Sequence, residues 1–234
     1  MNREDELAAA LAAVESRLSA AARAAGRTRD ELTLVAISKT WPAQDIVALH
    51  ALGVTDFGEN RDEEARDKAA ALLGLRGAGL RWHFVGAVQS SKARSVASYA
   101  DVVHSLDRLS LLRALSAGAV RAGRTLDVLL QVSLDGDQRR GGAVATDVPA
   151  LAAATERVPG LRLAGVMAVA PLGADPSKAF ADLAVTAARV RADHPAASWI
   201  SAGMSGDLEQ AVAAGATHVR VGSALFGHRP PILR

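Results

Sequence analysis

Eight short apolar runs alternate with longer alanine-rich stretches along the chain, and this alternation constrains the fold more than any other feature. The runs are Leu32–Ser38, Val54–Gly58, Arg81–Val85, Asp101–Ser105, Leu126–Leu134, Leu161–Val169, Ser198–Ala202 and Thr217–Val221. Candidate helices lie between them at Pro42–Leu52, Asn60–Leu73, Ser90–Ser98, Arg108–Ala122, Val148–Arg157, Pro176–Ala192 and Gly206–Ala214, and Glu4–Ala25 precedes the first run. The runs lack the polar/apolar alternation of half-buried strands, so they read as strands covered on both faces, as in a parallel sheet. Strand–helix alternation points to the α/β class. Eight such units fit a single (β/α)8 TIM barrel, with a doubly wound sheet as the alternative. At 234 residues the chain is shorter than the roughly 250 of a typical barrel, so its connections must be tight. Alanine, at 51 positions, serves that end: it is the best helix former and lets helices pack closely. No Pro/Ser/Gly linker divides the chain, and we read residues 1–234 as one domain, with 1–25 as an additional N-terminal helix.

Composition narrows the chemistry. With no cysteine, the chain can hold no disulfide, thiolate metal site or cysteine nucleophile. The 27 basic and 25 acidic residues nearly balance, and no basic run carries interleaved aromatics, so no nucleic-acid partner is expected. No run reaches about 18 apolar residues, so no membrane span is expected. The polar start Met1–Glu6 lacks the features of a signal peptide, and the expected compartment is the cytoplasm. Six histidines show no metal spacing, and His83, between Trp82 and Phe84, reads as a satisfied core residue.

Barrel sites lie at the C-terminal strand ends. Lys39 directly follows the first strand, in a chain that has only four lysines, Lys39, Lys68, Lys92 and Lys178, against 23 arginines. A Schiff base needs a primary amine able to lose its proton, which arginine cannot supply. On position alone Lys39 reads either as such an amine or as a strand-end cation in solvent. Ser205-Gly206 and Gly222-Ser223 follow the last two strands, where barrels commonly bind phosphate through backbone N–H groups at a helix start. Two ordinary helix caps are the alternative. Arg220 shares a strand face with Gly222 and points into the barrel mouth. There it serves as either a donor to a ligand or half of an internal salt bridge. The Gly74–Gly79 stretch precedes a strand rather than following one, so it is no phosphate loop. Gln138–Gly142 reads as a solvated loop.

Five strings, in chain order, resemble the pyridoxal phosphate homeostasis proteins, the YggS/PROSC family. They are Val35–Lys39; Phe57-Gly58-Glu59-Asn60; Trp82–Gly86 with Gln89-Ser90-Ser91-Lys92; Gly203–Glu209; and Val219–Gly227. The resemblance spans essentially the whole chain. It implies a barrel of the alanine racemase N-terminal type, fold type III among pyridoxal-phosphate proteins, with pyridoxal 5′-phosphate as cofactor. By this likeness Lys39 is the Schiff-base lysine, and Ser205, Gly206, Gly222 and Ser223 hold the phosphate. Arg220 faces the pyridine nitrogen, and Asn60 lines the ring pocket. The chain departs from the family at Ser91 and Ser133, where asparagine is common, at Ala202 (methionine) and at Arg61 (tyrosine).

The resemblance implies a vitamin B6 carrier or buffer without clear catalysis, exchanging the cofactor with apo-enzymes. The alternative is a weak amino-acid racemase or decarboxylase. Alanine racemases use a tyrosine from a second domain, whereas this chain ends at Arg234 and its lone tyrosine, Tyr99, lies in no motif. No catalytic residue is assigned. Lys92 is either an accessory contact during exchange or a solvated helix residue. A monomer is expected.

Overall fold

The computed structural model describes residues 2–137 and 140–227. Eight parallel strands close in sequence order into a barrel: β1 Thr33–Ile37, β2 Asp56–Glu59, β3 Arg81–Phe84, β4 Val102–Leu106, β5 Leu126–Gln131, β6 Leu161–Met167, β7 Trp199–Ser201 and β8 His218–Val221. Register pairs Leu34 with Val219 where β8 meets β1 and closes the sheet. The helices are α1 Arg3–Ala24, α2 Ala43–Ala51, α3 Asp62–Ala71, α4 Leu73–Arg76, α5 Ala93–Tyr99, α6 Leu109–Arg121, α7 Val148–Glu156, α8 Pro176–Asp193, α9 Leu208–Ala213 and α10 Ser223–Phe226.

All eight expected strands are present, so the barrel replaces the doubly wound alternative. The expected runs overshoot their strands at several ends, most at the fifth. The strand expected to reach Leu134 stops at Gln131, because Val132 leaves the sheet to bridge Ala143. The strand expected to reach Val169 stops at Met167. The single turns α4 and α10 were not anticipated, since four residues carry too little periodicity to read.

Local chemistry explains the first helix. The Asn2 side chain accepts from the Asp5 N–H, and Asp5 reciprocates to the Asn2 N–H, a capping box. Acidic Glu4, Asp5 and Glu6 complement the positive end of the dipole. Leu7, Leu11, Val14 and Leu18 recur at helical spacing and are buried. Through them α1 covers α2, α9 and α10 and seals the β8–β1 side of the barrel. The main core lies between the outward strand faces, such as Leu34, Phe57, Trp82 and Val128, and the helix ring. A second apolar cluster, Val102, Leu129, Ala164 and Met167 with Trp199, is separate from it. No described helix is long and apolar enough to cross a membrane.

Candidate functional site at the barrel mouth

A cavity of about 620 Å³ opens at the C-terminal ends of the strands. Lys39, Asn60, Ser205, Gly206, Arg220, Gly222 and Ser223 all line it. The structure thus brings together, from five loops and strands, every site residue expected from the sequence. Apolar walls come from Ile37, Trp41, Val85, Met167, Val169 and Met204, which sequence reasoning had not singled out. Such residues are indistinguishable from core residues until the barrel places them at its rim.

Lys39 sits in a tight turn closed by the Trp41 N–H bonding to the Ser38 carbonyl at 3.0 Å. Thr40 takes φ +68°, rare for a residue other than glycine, and its N–H donates to the Glu64 carboxylate. Beneath this turn lies a buried ion network. Lys68 directs its ammonium at Glu59 Oε1 (2.7 Å), Glu64 Oε1 (2.7 Å) and the Ser38 carbonyl (2.8 Å), using all three donors. The Ser38 hydroxyl also donates to Glu59 Oε1, at 2.7 Å. Burial raises the Glu59 pKa, and Lys68 opposes that shift. One lysine therefore anchors the two loops that carry Lys39 and Asn60. Asn60 Oδ1 is buried without a hydrogen-bond partner among the described residues. Gly86 is held against the same loop so closely that a Cβ there would lie 2.3 Å from the Asn60 carbonyl oxygen.

Arg220 is 5% exposed. Its guanidinium donates to Ser201 Oγ at 2.6 Å and to the Ala168 carbonyl at 2.9 Å. Both acceptors are neutral, so the internal salt bridge considered from the sequence is not what holds it. Burial lowers its pKa to about 10, with Asp207 acting in the opposite direction, so it stays charged at neutral pH.

Across the mouth, Gly222 and Ser223 form the start of α10, where the first helical N–H groups have no acceptor within the helix. The Ala224 N–H reaches Ser205 Oγ at 3.4 Å, which ties the two serine loops together. Arg17 of α1 clamps the β7 loop from behind through the Ser205 carbonyl (3.1 Å) and Glu209 (2.9 Å). The Asp207 carboxylate accepts from the Met204 N–H at 2.6 Å, inside its own turn. Gly206 has open space around it and lets a ligand approach the backbone. On the other flank Trp41 stacks on Phe226, 6.0 Å between centroids, with Arg3 4.7 Å above its ring.

The donor set suits an anionic, flat ligand. The described lining carries two cationic groups, two hydroxyls and glycine backbone, no carboxylate, and apolar walls for a ring.

Other singled-out residues lie elsewhere. Lys92 pairs with Glu63 at 3.5 Å and Asp62 at 3.9 Å, in a neighbouring groove that shares Asn60. The Tyr99 hydroxyl, buried behind α3, contacts Asp62 Oδ1 at 3.2 Å, and burial raises its pKa. Ser91 and Arg61 are exposed, Ser133 bonds Asp135, and Ala202 is buried. Of the loop Gln138–Gly142, Gln138 and Arg139 lie outside the described residues, while Arg140 pairs with Asp135 at 2.9 Å.

A model of the alanine racemase N-terminal domain matches residues 10–230. The chain is 46% identical over 245 residues to the pyridoxal phosphate homeostasis protein of Mycobacterium tuberculosis (strain ATCC 25618 / H37Rv), covering 97% of this chain and 95% of that one. It is 38% identical over 228 residues to the protein of the same name from Escherichia coli (strain K12), covering 96% and 97%. Among solved structures it is similar to PipY of Synechococcus elongatus PCC7942 with PLP bound: TM-score 0.82, 35% identity, 94% of this chain and 100% of that chain. Alanine racemase from Corynebacterium glutamicum, at 14% identity and TM-score 0.66, shares the fold over 62% of its length.

Proposed function

The chain belongs to the pyridoxal phosphate homeostasis protein family, built on the alanine racemase N-terminal domain, and from that premise we propose that it holds pyridoxal 5′-phosphate in the mouth cavity as a carrier and buffer of the cofactor. The carrying observation is the convergence of one amine, one buried guanidinium and two hydroxyl-bearing glycine turns on a single cavity with apolar walls. When bound, the cofactor supplies an aldehyde that condenses with a primary amine and a ring that withdraws electrons.

Lys39 is the amine for covalent attachment. Ser205, Gly206, Gly222 and Ser223 hold the phosphate through backbone N–H groups and hydroxyls. Arg220 faces the ring nitrogen. An arginine there disfavours protonation of the nitrogen, because two like charges would meet in a buried site. The ring is then held without being made a strong electron sink, which suits storage better than turnover. The proposed setting is a cytoplasmic monomer of one domain, delivering the cofactor to apo-enzymes.

The test is spectroscopic. Incubation with pyridoxal phosphate should give near-visible absorbance, and borohydride reduction followed by peptide mass analysis should place the adduct on Lys39. Lys39→Arg, which keeps the charge and removes the amine, should lose the adduct entirely. A colourless wild-type protein overturns the reading, and an unchanged adduct in the variant overturns the lysine assignment. Sustained racemase or decarboxylase turnover would replace the carrier with the weak enzyme.

A further inference from the structure

Behind Arg220 a hydrogen-bonded chain runs through the barrel interior. Ser201 Oγ accepts from Arg220 and meets His104 Nδ1 at 2.9 Å. His104 Nε2 meets His83 Nδ1 at 2.8 Å, and His83 Nε2 meets Asp56 Oδ1 at 2.8 Å. The His104–Ser201 contact joins β4 to β7, which are not neighbours in the sheet, so it crosses the interior. Asp56, His83, His104 and Ser201 are all buried, and none of them lines the mouth cavity.

The two ends dictate the direction of every bond between them. A guanidinium can only donate, and an ionised carboxylate can only accept. With Ser201 accepting from Arg220, its hydroxyl proton goes to His104 Nδ1. His104 then carries its proton on Nε2 and donates to His83 Nδ1, and His83 donates from Nε2 to Asp56. Each donor finds an acceptor, and both histidines are neutral. The opposite arrangement makes His83 an imidazolium and has His104 donate to Ser201. It leaves the buried Ser201 hydroxyl proton with no acceptor among its described partners, at a cost of about 1–3 kcal/mol. It also adds a third cation to an interior that already faces Arg220 and Arg81. Burial, reinforced by the charges of Arg220 and Arg81, holds His104 well below the usual histidine range. His218, packed beside both rings, is likewise held down, to about 3, chiefly by burial. Burial pushes the Asp56 pKa up, but the hydrogen bonds from His83 and the Thr55 hydroxyl (2.6 Å) and the charge of Arg81 at 3.6 Å outweigh it, so the net shift is downward and Asp56 stays ionised.

We propose that Asp56, His83, His104 and Ser201 form a one-way hydrogen-bond relay that holds Arg220 in place as a donor to the ring nitrogen of a pyridine-type cofactor. The three neutral links align their dipoles from the cation to the carboxylate, so each bond polarises the next. Arg220 thereby gains a partner carboxylate at a distance, and none has to stand in the cavity where it would repel a phosphate. The four are positioning residues. This consequence rests on the proposed pyridoxal phosphate site, whereas the relay itself does not.

Ligand-free protein labelled with ¹⁵N-histidine tests the relay alone. A ¹⁵N–¹⁵N coupling across the hydrogen bond should join a protonated Nε2 to an unprotonated Nδ1 at pH 7. A proton on Nδ1 of either residue, or double protonation of either, would overturn it. The functional arm uses wild-type protein loaded with pyridoxal phosphate labelled at the ring nitrogen. Ser201→Ala should move that ¹⁵N signal toward its value in the free cofactor and weaken binding about threefold to tenfold, and Ser201→Thr should restore both. Asp56→Asn, remote from the cavity, should move the signal the same way by less, so the test survives a poorly folding serine variant. A ring-nitrogen signal unmoved in folded Ser201→Ala and Asp56→Asn overturns the positioning role, because loss of stability alone would leave it in place. If wild-type protein does not bind the cofactor, the functional reading falls with this consequence, and the histidine coupling still decides the relay.

Discussion

The two ends of the barrel interior use the same kinds of residue to opposite effect. At the floor, the N-terminal strand ends, acids and bases close on each other. Asp127 meets Arg162 at 2.8 Å and Arg81 at 3.3 Å, and Arg81 also reaches Asp56 at 3.6 Å. At the mouth, Lys39 and Arg220 line a cavity whose described lining has no carboxylate. The acids near it, Glu59 and Glu64, are drawn below the loops by Lys68. Paired charges close the floor, whereas the mouth presents cationic side chains and hydroxyls to a cavity with no carboxylate in its described lining. Barrels divide labour in this way, with stability at the bottom face and chemistry at the top.

The largest break in that division should come from Lys68→Met. It strands Glu59, 1% exposed, without its cation. Loss of one partner of a buried pair costs about 3–5 kcal/mol, to be read by urea unfolding. Adding Glu59→Gln should recover part of the loss. If Lys68→Met is as stable as wild type, the network does not anchor the mouth.

Acid should act on the interior between the two ends. His104 and His218 are neutral in the folded chain, whereas the unfolded chain takes up protons below about 6.5. The unfolded state then binds more protons, so stability falls as pH falls from 6.5 toward 3. The loss is about 2 kcal/mol per histidine between pH 7 and pH 5. Unfolding midpoints measured across that range check it, and a flat profile would show that the folded chain takes up protons as readily as the unfolded one, which overturns the neutral assignment.

At the mouth, Ser223→Ala should weaken pyridoxal phosphate binding about tenfold, or about 1.4 kcal/mol, with little change in stability, because Ser223 is exposed. Fluorescence titration measures it. The smallest effect should come from the floor. Arg162, with its side chain 67% exposed, pairs with the buried Asp127, which keeps Arg81 at 3.3 Å as a second cation, so Arg162→Ala should cost about 1 kcal/mol or less. A loss of several kcal/mol there would mean that the floor pairs are far less screened than their exposure implies.

Much of this was legible from residues alone. Strand–helix alternation marked the barrel, and the amine, the two glycine–serine turns and Arg220 were all found at strand ends. Lys68 has no role in the sequence reading, since nothing in Asp67-Lys68-Ala69 signals that α3 turns it inward under Ser38. His83 reads from sequence as a satisfied core residue and is one, but its partners Asp56 and His104 belong to other strands, and no spacing along the chain predicts that contact. The walls Trp41 and Met167 have no sequence signal of their own, because an apolar residue at a rim and one in a core look alike in sequence.

By itself the sequence determined which elements form, their order, and which residue types stand at the strand ends, because periodicity, capping and turn chemistry are local. Only the tertiary structure decided which charges pair at the floor and which side chains line the mouth. Closing β8 onto β1 sets residues nearly two hundred positions apart side by side, and burial in a shared interior then dictates who donates to whom.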